Sequence, residues 1–167
     1  MITIYRVISY FLLFVSFFLI LGVLGFLLIA LSNPALLLSV FVAAAVVLYS
    51  FSSFKFLRKG IDRQQVMKKR TKDFIKVNAY VALFFATMNV TQSIAIIMEP
   101  NLLKDAINQV SAIQKQDMGM SEERFLSIIN QLVWGILIYG VALLTHVLIS
   151  FKLLKLYSDK FTENPDV

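Results

Sequence analysis

The chain has 167 residues, 59% hydrophobic and 16% charged, with 15 Phe, 6 Tyr, one Trp, a formal net charge of +6 and no cysteine. Soluble domains carry about a quarter charged residues, so this balance excludes an ordinary soluble domain and points to one integral membrane domain. The lack of cysteine excludes disulfides, thiolate nucleophiles and Cys-based metal sites. The basic excess sits in one short segment between apolar runs, so membrane threading explains it before nucleic acid does.

Ile8 to Leu31 is 24 residues without a charge, enough to span a bilayer, which takes about 20. It exceeds the ~7–15-residue apolar core of a signal peptide, so a helix is expected over 5–31. Ser32-Asn33-Pro34 interrupts it; Asn33 suits a cap and Pro34 a first helical turn, giving a second helix over 34–58. Ala35, Ser39 and Ala43 repeat every four residues toward Gly22 and Gly25, a small-residue packing pattern. Gly60 punctuates the next turn, and Asp62 with Gln65 has capping-box spacing. A third helix is therefore expected over 62–98, continuing past the lipid as a rod and stopped by Glu99-Pro100.

Residues 101–116, NLLKDAINQVSAIQKQ, place Leu102, Leu103, Ala106, Ile107, Val110 and Ile113 on one face, an amphipathic helix. That segment either fills the loop or docks another protein. Ser121 can cap a fourth helix over 121–157. The expected fold is all-α, an integral membrane four-helix bundle of two hairpins.

Loop charge orients the chain. Residues 55–72 carry Lys55, Arg58, Lys59, Arg63, Lys68, Lys69, Arg70 and Lys72 against Asp62 alone, whereas residues 99–125 are net acidic. Basic short loops stay cytoplasmic, and Arg6, Lys152, Lys155 and Lys160 put both termini on that side. The same eight cations are candidate contacts for anionic lipid headgroups, although topology alone accounts for them.

The stretch ATMNVTQSI, residues 86–94, is polar for a spanning helix. Asn78, Asn89, Gln92 and Ser93 fall within roughly a 100° arc. Asn130, Gln131, Trp134, Gly135 and His146 form a facing stripe on the fourth helix, opposite Val133, Leu137 and Val141. Side-chain amides bond between membrane helices, so the two stripes are expected to face each other; a hydrated pocket is the alternative. His146, the only histidine, reads as a packing residue or a proton-linked one. No cofactor, metal or catalytic set is expected.

The tight first hairpin, the longer outer loop and the basic stretch YSFSSFKFLRKGIDRQQVMKKRTKDFIKV resemble small four-helix bacterial membrane proteins of unknown function. The resemblance implies a multi-pass protein of the bacterial inner membrane and no activity. Together these features predict a non-enzymatic accessory, scaffold or interaction subunit. It would act through its helix faces and its outer amphipathic segment, with the bilayer and a membrane protein or a second copy as partners. The alternative is a homo-oligomeric channel or carrier for a small solute.

Overall fold

The computed structural model describes residues 1–99, 101 and 122–163. The fold is all-α, built on four long helices: α1 (Ile2–Ser32), α2 (Leu37–Lys55), α3 (Lys69–Met98) and α4 (Glu122–Leu156). With the short turns that flank α2, each is long and apolar enough to cross a membrane. The chain is a multi-pass membrane protein. The amphipathic segment expected over 101–116 and the Ser121 cap lie outside the described residues.

Along α1 and in the interior beside it, polarity is distributed as a hydrocarbon solvent requires. Phe14, Phe17, Phe18, Leu24, Phe26 and Leu28 of α1 are exposed, while Ser9, Ser50, Ser53, Asn78, Ser93, His146 and Ser150 are buried. Water would favour the reverse. In lipid, apolar side chains lose nothing by facing outward and polar ones must find partners within the protein.

The described residues form two compact units, Met1–Phe85 with Ala142–Val167 and Ala86–Val141. In the first, α1 and α2 form a hairpin around Asn33, whose Oδ1 accepts from Ala35 N at 3.2 Å with Pro34 opening a 3₁₀ turn. Gly22 and Gly25 have no atom within 4 Å of where a Cβ would stand. The expected tight contact with Ser39 and Ala43 is absent. Gly22, Ser39 and Ala43 instead border an apolar crevice of about 220 Å³, because the hairpin's closest packing falls lower, at Tyr5, Leu12, Val46 and Tyr49, all buried.

The junction between α2 and α3 departs furthest from expectation. Helix α2 runs on as a π-helical turn, Phe56–Asp62, and α3 begins only at Lys69 rather than at Asp62. Asp62 caps nothing; its carboxylate accepts from Arg6 at 2.7 Å. Gly60 is required in this turn, since a Cβ there would come within 2.8 Å of the Phe56 ring. Gln64 takes a left-handed φ of 54°, and Gln65 N bonds Lys59 O at 2.9 Å. Residues Met67–Lys68 (β1) then pair in parallel with Phe161–Thr162 (β2). The Lys69–Glu163 ion pair at 2.9 Å flanks this ladder, and the ammonium holds the Glu163 carboxyl below its usual range. Good helix formers thus yield to a long-range pairing that buries Met67.

In the second unit, α3 and α4 meet at Gly140. A Cβ there would lie 3.0 Å from Val90 Cγ2, 3.5 Å from Ala86 O and 3.6 Å from Asn89 Cβ. This close approach sets the face of α4. Val133 and Gly140 stand one heptad apart in this unit and both are buried.

A side chain at position 140 must therefore push the helices apart. Gly140→Leu is expected to lower the melting temperature in detergent by several degrees. Gly135→Leu, where no atom lies within 4 Å, is expected to leave it within about a degree of wild type. Equal shifts for the two variants would refute this packing.

Candidate functional site

The residues of the expected polar cluster are divided between the two units. Asn78 and His146 belong to the first unit, and Asn89, Gln92, Ser93, Asn130, Gln131 and Trp134 to the second. Asn78 is buried and its amide nitrogen donates to Phe74 O on its own helix at 2.8 Å. Ser93 is buried and Asn89 half-buried, on the α3 face that also buries Ala82 and Ala86. Gln92, Asn130, Gln131, Trp134 and Gly135 are exposed, whereas Val133, expected against lipid, is 6% exposed. The inner face of α4 is rotated from the expected stripe because Gly140 is the residue that admits α3.

His146 instead anchors a network within the first unit that draws on three helices. Its Nε2 lies 2.8 Å from Ser9 Oγ on α1, and its Nδ1 lies 2.7 Å from the Tyr49 hydroxyl on α2. Tyr49 also reaches Ser150 Oγ at 2.8 Å, and Ser150 donates to the Tyr5 hydroxyl at 3.1 Å. Tyr5 OH stands 3.5 Å from Ser53 O. The Tyr5 ring stacks on the imidazole at 4.3 Å and 6°, and the Tyr49 ring meets it edge-on at 5.6 Å. All five side chains are 2% exposed or less.

The proton directions follow from the donor inventory. A neutral imidazole has one N–H and one acceptor. Ser9 Oγ donates to Tyr5 O at 2.7 Å, so it accepts from Nε2–H, and Nδ1 then accepts from Tyr49. Ser150 carries a single proton between two phenol oxygens, so at any moment it donates to one of them. The cluster contains hydroxyls and one imidazole and no carboxylate; among the described residues no three His, Asp, Glu or Cys side chains come together. Both ring nitrogens of His146 are committed to hydroxyls. This arrangement clamps α1, α2 and α4 at fixed rotation and depth.

Reading the α4 stripe alone placed His146 on an inner face and missed its partners. A signal was nevertheless present. YRVIS (5–9), YSFSS (49–53) and HVLIS (146–150) each set a ring and a serine four residues apart, on one face of a helix. Each helix contributes both members of its pair to the network, α2 through the Ser53 carbonyl.

Comparison with protein-family models, curated proteins and solved structures finds no match to this chain.

Removing one hydroxyl strands its neighbours. Tyr49→Phe leaves Nδ1 and Ser150 short of a partner and is expected to cost about 1–3 kcal/mol, the range for a buried group left unsatisfied. Ser50 is equally buried but donates to Val46 O on its own helix at 2.9 Å, so Ser50→Ala should cost far less. Thermal melts of both variants in one detergent decide this; a Tyr49→Phe protein as stable as Ser50→Ala would refute the clamp.

Proposed function

We propose that this chain is a non-enzymatic subunit of a bacterial inner membrane, with both termini cytoplasmic, that associates within the bilayer through the polar outer halves of α3 and α4. The carrying observation is the exposure of Gln92, Asn130 and Gln131 in helices long and apolar enough to span. An amide facing hydrocarbon without a partner costs several kcal/mol. A neighbouring transmembrane helix bearing hydrogen-bonding side chains removes that cost, and small or amide side chains are what such contacts use. Trp134, 49% exposed beside Asn130 and Gln131, adds apolar area there.

The orientation rests on a shared end. Arg6 pairs with Asp62, and β1 pairs with β2, so the start of α1, the α2–α3 junction and residues 161–162 lie together. Basic residues concentrate there, the pattern of cytoplasmic loops. The same exposed amides also support the second reading, in which several copies turn them toward a shared aqueous path for a small solute.

The chain has no native cysteine, so single cysteines report cleanly. Cysteine at Gln131 or Trp134 is expected to give disulfide-linked dimers in native membranes if the neighbour is a second copy. A different membrane protein that copurifies with wild type and is lost with Gln92→Leu plus Gln131→Leu identifies a hetero-partner. A monomer with no partner in either experiment sinks the proposal. Solute flux through liposomes, abolished by the double variant, would favour the channel reading. Cysteine at Ser32 should label from outside intact cells and cysteine at Gln65 should not; the opposite pattern reverses the orientation.

A further inference from the structure

The eight cations of residues 55–72 read as one undifferentiated basic segment in the sequence. The structure sorts them. Arg58 donates to the Tyr10 hydroxyl at 3.3 Å, Lys69 pairs with Glu163 at 2.9 Å, and Lys72 sits 5.5 Å over the Phe161 ring. The side chains of Lys55, Lys59, Arg63, Lys68 and Arg70 are exposed and have no ion pair or hydrogen bond among the described residues. Three of these five, Lys55, Lys68 and Arg70, line one open groove of about 660 Å³ between α2 and the start of α3. Its walls are Leu48, Phe51 and Phe74, each close to half exposed, and no carboxylate lines it.

We propose that this groove is a binding site for an anionic glycerophospholipid of the surrounding leaflet, its phosphate held by Lys55, Lys68 and Arg70 and one acyl chain lying along Leu48, Phe51 and Phe74. The volume is in the range of small-ligand sites, about 300–1,000 Å³. A soluble anion would use the cations but leave the aromatic and aliphatic wall unexplained. A neutral lipid would use the wall but leave three cations lining the same groove without a counter-charge. The groove also lies where an apolar span gives way to the basic segment, which is the level of the headgroups. Arg70 presents a planar fork suited to two phosphate oxygens, and the two lysines act as point charges. Pairing of β1 with β2 fixes Lys68 at the rim, because the backbone of residues 67–68 is held in the ladder.

Binding of phosphatidylglycerol carrying a fluorescent acyl tail to the purified full chain in neutral detergent tests this. Unlabelled phosphatidylglycerol should displace the probe, whereas phosphatidylcholine and millimolar inorganic phosphate should not. Each near-surface cation contributes about fivefold, so Lys68→Gln with Arg70→Gln is expected to weaken binding roughly 25-fold. Lys59→Gln with Arg63→Gln removes the same charge outside the groove and should weaken it less than threefold. Leu48→Trp keeps every charge and fills the groove; it should also block the probe, so the result does not hang on one variant folding. Equal weakening by the two charge pairs would reduce the effect to general attraction and overturn the site. Displacement by phosphatidylcholine would make it ordinary annular lipid, and displacement by phosphate a soluble-anion site; either overturns the proposal.

Discussion

A polar side chain inside hydrocarbon has no water to fall back on, and that constraint organises this protein. Hydrogen-bonding groups that would be solvated in a soluble domain are collected instead between α1, α2 and α4, where His146 serves as the common partner. Ordinary core packing between membrane helices is weakly directional, because lipid tails are as apolar as Leu or Phe. A stacked Tyr5 ring with hydroxyls on both imidazole nitrogens is directional. It distinguishes one rotation of each helix from its neighbours, which the apolar remainder of the interface does weakly.

The basic end is held differently. There the Arg6–Asp62 and Lys69–Glu163 pairs are exposed, and exposed ion pairs contribute little stability, about 0–1 kcal/mol. Their effect is on register. They and the short ladder of β1 with β2 hold residues 63–68 of the α2–α3 junction out of the helix. Burial of Met67 against Gly60 supplies the apolar contact that the ion pairs lack.

The legible parts of this fold were those encoded locally. Long uncharged runs define the helices, and Asn33-Pro34 marks the first turn by cap chemistry that acts within three residues. Ser9, Tyr49 and His146 become one site only through contacts 97 and 137 positions apart; the ring–serine spacing on each helix marks the members but not their meeting. Asp62 and Gln65 have capping spacing, yet a partner at Arg6 and a strand at Phe161 take that segment out of the helix. On α4 the amides were the conspicuous residues, but the close approach is made by Gly140, whose lack of a side chain leaves no mark in a polarity pattern. Heptad spacing of Val133 and Gly140 was the readable clue to the inward face.

The pairing of residues 67–68 with 161–162 also bears on biogenesis. A ribosome delivers the α2–α3 junction long before its partner strand exists, so that junction stays unfinished while the later helices are inserted. The partner strand reaches the side of its junction when α3 and α4 have both crossed, or when neither has. A chain in which one of them failed to cross would carry residues 161–162 to the opposite compartment, with its junction permanently open. The small ladder therefore registers the parity of membrane crossings. Its closure is denied to a molecule in which just one of the two helices failed to cross, and there the unclosed junction leaves Met67 uncovered.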